Sequence, residues 1–144
     1  MNTNQTADLL AQCNSGIQMG VTAIEDTLSS VKSGDLRRIL LRSKQAHQEL
    51  GSRTHALLNT LGLPRHEPSP AARAMSRLKT GFHLLADPSD GTVAELITDG
   101  CGMGIKILRR YLNHCPGAKP ESVDIARRLI DLEQTLARDV SPYL

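Results

Sequence analysis

Four polar residues lie at or beside the apolar stripes of helical segments, and their types could do chemistry: Glu25, His47, Arg109 and Glu133. Imidazole nitrogens and carboxylate oxygens bind transition-metal ions, so Glu25, His47 and Glu133 could hold one ion, with water completing its coordination shell. Arg109 disfavours a cation at the same place. The four side chains can instead satisfy one another in a polar core network that fixes the alignment of the helices. We favour this network and keep the three-ligand metal site as the alternative.

The cysteines offer no second site. Cys13, Cys101 and Cys115 form no C-x-x-C pair, and their odd number suits a chain that stays reduced. No cysteine or serine stands in a sequence context that marks an activated nucleophile. We therefore predict no catalytic residue, and the sequence favours a protein that is not an enzyme without deciding the point.

Four long stretches with apolar residues every three or four positions must position these side chains. They cover residues 10–31, 35–61, 92–112 and 120–143, and turn residues separate them. No stretch alternates apolar and polar residues over the length of a strand, so the chain is predicted to be all-α. The second stretch is followed by Gly62, as is typical of a helix with a C-terminal glycine cap.

The segment between the second and third stretches, residues 64–91, is long for a simple connection. Ser69 as N-cap followed by Pro70 predicts a short helix inside it. The apolar face of that helix would consist of Met75, Leu78, Phe82 and Leu85. The segment is therefore interpreted as a crossover, with its own helix, between two helical hairpins.

The first and third stretches share a weak repeat, which pairs Gly16 with Gly100 and Gly20 with Gly104. Each glycine inside a helix costs roughly 0.5–1 kcal/mol relative to alanine. Close packing of the first helix on the third would offset this cost, and we favour that interpretation. The alternative is that the small residues, Gly102 among them, open a groove for a ligand or a partner helix.

Two helical hairpins joined by a long crossover resemble the ferritin-like superfamily. A bacterial family of ferritin-like bundles with no assigned function has motifs similar to Met19-Gly20, Ala94-Glu95-Leu96-Ile97, Met103-Gly104-Ile105 and Tyr143-Leu144. The resemblance covers nearly the whole chain and implies one ferritin-like four-helix bundle domain over residues 1–144. These motifs are mostly structural, so they support the fold more than an activity.

The resemblance also implies a test for di-iron chemistry, which needs a Glu on each of two helices and a Glu-x-x-His on each of the other two. No His lies three residues after Glu49 or Glu133, and Arg109 is the repeat partner of Glu25. We therefore expect no complete di-iron site and no cofactor. The expected function is non-enzymatic, by self-association or by binding a protein or small ligand. The alternative is a degenerate ferritin-like protein that binds or oxidises iron through Glu25, His47 and Glu133.

Composition excludes several classes of partner. Lys and Arg outnumber Asp and Glu by only 17 to 15, and aromatic residues make up 2% of the chain, so nucleic acid is not expected. No apolar run approaches the roughly 20 residues that span a bilayer, and residues 1–6 lack the features of a signal peptide. We expect a cytoplasmic homo-oligomer, most simply a dimer, whose further partner the sequence leaves unidentified.

Overall fold

The structure, a computed structural model, describes residues 3–65, 81 and 83–144. The described residues are mostly helical and none lies in a β-strand, which confirms the prediction of an all-α chain. Among these residues there are four long helices, α1 (Thr3–Leu28), α2 (Gly34–Thr60), α3 (Asp90–His114) and α4 (Pro120–Val140), and a 3₁₀ turn, Ser141–Tyr143, follows α4. Within the described ranges, no helix is both long enough and apolar enough to cross a membrane.

Local capping interactions determine where α2 begins and ends. The Ser33 hydroxyl accepts a hydrogen bond from Leu36 N at 3.2 Å and so caps the first turn. After the last turn the chain passes through Gly62, whose φ of +65° favours glycine. This conformation lets Leu63 N–H donate to Leu58 O at 2.9 Å. The predicted glycine cap is confirmed.

α3 begins earlier than the pattern predicts. The sequence favours a start at Thr92, with Glu95 completing a capping box. In the structure Ser89 is the N-cap, and its hydroxyl accepts a hydrogen bond from Thr92 N at 3.1 Å. Asp90 then lies in the first turn, where the helix macrodipole favours negative charge.

The helices pack as two hairpins, α1 with α2 and α3 with α4; α1 also contacts α3 and α4, and α2 contacts α4. The Asp90 carboxylate accepts hydrogen bonds from Lys32 N at 2.7 Å and Ser33 N at 3.1 Å, which brings the start of α3 to the end of α1. At the opposite end, Lys119 N–H donates to Thr6 Oγ1 at 2.9 Å, which brings the α3–α4 turn to the start of α1. α1 therefore runs antiparallel to α3 and parallel to α4.

Two apolar clusters form the core, one toward the start of α1 and the other toward its end. The first cluster includes Leu9, Leu10, Cys13, Ile17, Leu50, Leu58, Leu108, Ile125 and Leu129. The second cluster includes Ile24, Val31, Leu36, Leu40, Leu84, Val93, Ile97, Cys101, Leu136 and Val140. Each fully buried Leu or Ile side chain contributes about 1.5–3 kcal/mol, so both clusters hold the four helices together.

Most of the predicted crossover helix, with Met75, Leu78 and Phe82, lies outside the described residues. Leu85 is described, and it is 87% exposed, which corrects its predicted place on the apolar face. Leu84 enters the second apolar cluster instead and is 8% exposed. Neighbouring positions on a helix point about 100° apart, so only one of the two leucines faces the core.

Candidate functional site

His47 of α2 and Glu133 of α4 meet between the two apolar clusters. His47 Nε2 lies 2.8 Å from Glu133 Oε1, and the two residues are 0% and 7% exposed. On the other side of the ring, His47 Nδ1–H donates to the carbonyl oxygen of Ser43, one turn earlier in α2, at 2.8 Å. Both ring nitrogens therefore have a partner, which fixes the orientation of the imidazole. We call this level of the molecule the polar layer.

One proton is shared across the contact between His47 and Glu133. Because the Ser43 carbonyl can only accept, Nδ1 carries a proton, and a further proton lies between Nε2 and Oε1. Burial lowers the pKa of His47, but the hydrogen bond and charge of Glu133, with the Ser43 carbonyl, outweigh burial and raise that pKa above 6.5. The geometry therefore favours an imidazolium paired with a carboxylate, which is costly to break because it is buried.

α3 adds the thiol of Cys101 to the polar layer. Cys101 is 2% exposed and lies beside Glu133. Burial, followed by the charge and hydrogen bond of Glu133, raises the pKa of this thiol far above its usual value. The thiol therefore stays protonated at neutral pH. Burial also raises the pKa of Cys13 to about 12, so neither thiol is a nucleophile at neutral pH.

α1 contributes Gly20, whose lack of a side chain makes room for the pair. A Cβ atom at Gly20 would lie 3.0 Å from His47 Cδ2, 3.1 Å from His47 Nε2 and 3.6 Å from Glu133 Oε1. A Cβ atom at Gly104 of α3 would lie 3.9 Å from Glu133 Cδ, which is an ordinary contact. All four helices therefore meet at the polar layer.

The glycines are predicted to pack α1 closely on α3, and the structure corrects their partners. A Cβ atom at Gly16 would lie 3.4 Å from Leu129 Cδ2, so Gly16 approaches α4, and Gly20 approaches α2 and α4. A Cβ atom at Gly100 would meet no atom of the described residues within 4 Å, and Gly100 is exposed. The physical reason is that α1 packs on all three other helices, whereas Gly100 lies on the outward face of α3.

Glu25 lies outside the predicted polar core network. Its carboxylate is 44% exposed and pairs with Lys44 Nζ at 3.3 Å. The preceding residue, Ile24, is fully buried. One residue turns a helix by about 100°, which is enough to bring Glu25 to the surface.

Arg109 also lies outside the network, for the same reason. It is exposed and follows the buried Leu108 directly. Its side chain lines a surface groove between α3 and α4, together with Leu112, Val123 and Arg127. Of the four predicted residues, the structure brings together only His47 and Glu133.

Metal ligands are not gathered at the polar layer. Across the described ranges, no group of three or more His, Cys, Asp or Glu side chains is arranged to hold a metal ion. Glu25, which the alternative interpretation uses as a ligand, is held at the surface by Lys44. What the layer can do chemically is share one buried proton and align the helices that carry its partners.

Sequence reasoning missed the polar surroundings of two buried residues in particular. One is Cys101, and the other is Asn14 of α1, whose Oδ1 lies 2.8 Å from His55 Nε2 of α2. Both residues are small enough to fit an apolar stripe. Their only signal is position, because each lies four residues after a core residue, Asn14 after Leu10 and Cys101 after Ile97.

Comparison with known proteins gives no match. No model of a known protein family matches the chain, and neither a curated protein nor a solved structure is found to be similar to it. The function must therefore be argued from the contacts and charges described above, and the family resemblance of the short motifs stays a prediction.

Proposed function

We propose that the chain is a ferritin-like four-helix bundle that acts by self-association and not by catalysis. The directions of the helices support this topology. The end of α2 lies at the opposite end of the molecule from the start of α3. The same placement of these two helix ends is found in a ferritin-like bundle, whose two hairpins are joined by a long crossover.

The observation that carries the non-catalytic part of the proposal is that the polar layer is already satisfied. Glu133 accepts a hydrogen bond from His47, which also donates to the Ser43 carbonyl oxygen, and the buried Cys101 thiol lies beside the carboxylate. The imidazole occupies the space that Gly20 leaves open. A metal ion at this level would have to displace these bonds. Glu25, the third ligand of the alternative metal site, would also have to leave its ion pair with Lys44 at the surface.

The surface of α3 supports self-association. Met103 is 63% exposed, and Gly100 and Gly102 beside it are exposed as well. Glycine lowers the stability of a helix, and the described residues place no side chain against these two positions. Contact with a second copy of the chain would offset that cost and cover the methionine.

The free cysteines favour the cytoplasm as the compartment of this proposed bundle. Cys13, Cys101 and Cys115 are all free and buried. Proteins in a reducing compartment keep thiols in this form. The resemblance of the short motifs favours a bacterial source.

The first experiment tests for a metal. Protein purified without chelator is subjected to elemental analysis and then titrated anaerobically with ferrous iron and with zinc, in parallel with a Glu133→Gln variant. We expect substoichiometric metal in both proteins. Stoichiometric metal that the Glu133→Gln variant fails to bind would overturn the proposal and favour iron chemistry at the polar layer.

The second experiment tests self-association. Sedimentation equilibrium over a wide concentration range gives the mass of the purified chain. We expect a reversible dimer. A monomer at every concentration would overturn the self-association part of the proposal, whatever the metal analysis shows.

A further inference from the structure

One exposed face of α3 carries a symmetric charge pattern. Its residues are Glu95, Asp99, Met103, Lys106 and Arg110, spaced three or four apart, and all five are exposed. On a helix of 3.6 residues per turn they lie within an arc of about 80°. The acidic residues occupy the first half of this face, the basic residues occupy the second half, and Met103 lies between them. We call these five residues the α3 face.

The charges of the α3 face are arranged unfavourably within one chain. Glu95 and Asp99 are four residues apart and repel each other, and so are Lys106 and Arg110. In the part of the chain that the structure describes, none of these four side chains forms an ion pair. The helix macrodipole favours negative charge in the first turn and positive charge in the last turn only. It therefore does not explain Asp99 and Lys106, which lie further inside the helix.

The opposite arrangement occurs elsewhere on the surface. On α4, Asp124 and Arg128 are four residues apart with opposite charges, and Arg128 Nε lies 2.9 Å from Asp124 Oδ2. Arg53 of α2 joins the same carboxylate at 2.9 Å. Asp124, Arg128 and Arg53 are therefore paired within the chain, whereas the four charges of the α3 face are not.

The pattern becomes complementary when α3 meets an antiparallel copy of itself. Its centre of symmetry lies between Gly102 and Met103, because Glu95 and Arg110 are equally far from that point, as are Asp99 and Lys106. Two helices crossing there would bring Asp99 to the partner's Lys106 about 5 Å from the axis, measured along the helix. Glu95 would meet the partner's Arg110 about 11 Å from the axis.

We infer that two copies of this chain associate through their α3 faces, antiparallel, about a two-fold axis between Gly102 and Met103. A two-fold axis makes each contact occur twice, so the dimer gains four ion pairs from one self-complementary surface. At the axis, Met103 loses its solvent contact, and the missing side chain of Gly102 lets the two backbones approach. This inference rests on the proposed self-association.

Charge reversal tests the pairing. Asp99→Lys gives a face with only basic residues in its centre, and Lys106→Asp gives a face with only acidic ones. Each variant alone is expected to dimerise at least 10-fold more weakly than the unaltered chain, because like charges then meet at the axis. An equimolar mixture of the two variants is expected to form heterodimers, since each acidic centre then meets a basic one. Sedimentation equilibrium measures all three samples.

A matched control reverses an exposed charge on another helix. Asp131→Lys on α4 changes the net charge by the same amount as Asp99→Lys but lies outside the α3 face. It is expected to leave dimerisation unchanged. Circular dichroism of every variant checks that helix content is retained.

Cross-linking gives an independent readout. Met103→Cys places a thiol at the proposed axis, and mild oxidation is expected to link two copies through it. Ser52→Cys, at an exposed position of α2, is expected to give far less linked dimer. The three native cysteines are buried and contribute little background.

The outcomes separate the two proposals. A stable dimer that neither charge reversal weakens, or a mixture that forms no heterodimer, would overturn the α3 pairing and leave self-association through another surface. A monomeric unaltered chain would overturn both. Weakened single variants whose mixture associates, with oxidative linkage through Met103→Cys, would establish the α3 face as the interface.

Discussion

The glycines of α1 and α3 come from similar stretches of sequence but have different surroundings. Gly20 lies under the His47 ring, where a Cβ atom would approach to 3.0 Å. Gly100 is exposed, and the described residues leave the space around it open. The difference arises because α1 packs on α2, α3 and α4, whereas Gly100 lies on an outward face of α3. The repeat partners Gly16 and Gly100 differ in the same way, since a Cβ atom at Gly16 would lie 3.4 Å from Leu129 Cδ2. A glycine repeated in the sequence therefore need not have the same surroundings in the fold.

Removing the Glu133 carboxylate, which lies beside Gly20, is expected to have the largest effect on stability. Glu133→Ala would leave His47 buried without its carboxylate and without the bond that holds its Nε2. We expect the free energy of unfolding to fall by about 3 kcal/mol, because breaking one partner of a buried pair leaves the other uncompensated. Urea denaturation followed by circular dichroism measures the change.

The control for this prediction removes both partners. The double variant His47→Leu with Glu133→Leu should be much closer to the unaltered chain in stability, since replacing a buried pair by apolar side chains of similar volume is often neutral. If the double variant is as unstable as Glu133→Ala, the loss comes from packing and not from an unpaired charge.

Crowding at Gly20 is expected to have the next largest effect. Gly20→Ala adds one methyl group against the His47 ring, and we expect the free energy of unfolding to fall by about 1–3 kcal/mol, despite the better helix propensity of alanine. In a His47→Ala background, Gly20→Ala should lower the free energy of unfolding much less, because the opposing ring is gone. An equal cost in both backgrounds would contradict the contact.

Protonation of the pair gives a smaller, pH-dependent effect. The pKa of His47 is raised above 6.5 in the folded state, so the stabilisation is fully present below pH 6.5 and is lost as the pH rises through the folded pKa. The difference in unfolding free energy between the unaltered chain and the double variant His47→Gln with Glu133→Gln should therefore shrink on going from neutral to alkaline pH. Urea titrations at several pH values measure this difference in unfolding free energy. A difference that does not change with pH would contradict the prediction and indicate a pair that is neutral throughout.

Gly100→Ala should have the smallest effect and the opposite sign to Gly20→Ala. With open space around Gly100, alanine is expected to raise the free energy of unfolding by about 0.5–1 kcal/mol through helix propensity alone. Thermal or urea denaturation of the two alanine variants side by side tests the comparison. Destabilisation by Gly100→Ala would mean that this glycine has a close neighbour after all.

Much of the fold could be predicted from periodicity and capping chemistry. Apolar spacing predicts four helices, and the glycine after α2 predicts how that helix ends. The start of α3 was harder to place, because Ser89 and Thr92 both suit an N-cap and only the backbone geometry selects Ser89. Local sequence signals thus predict the type of an element better than its first residue.

The candidate site was less predictable, because it depends on rotation about helix axes. His47 and Glu133 fall on apolar stripes, and the structure brings them together. Glu25 and Arg109 lie one position from buried residues, and a single residue of rotation carries both to the surface. Cys101 looks like an ordinary core residue, and its proximity to Glu133 appears only when α3 and α4 are packed together.

The two turns between paired helices are each closed by a side chain from the other hairpin. Asp90, at the start of α3, binds the backbone of the α1–α2 turn, and Thr6, near the start of α1, binds the backbone of the α3–α4 turn. These bonds join residues 57, 58 and 113 positions apart, so they form only after the two hairpins have docked. The amide protons of Lys32, Ser33 and Lys119 should therefore exchange with solvent when the hairpins separate, and not at the fast rate of ordinary loops.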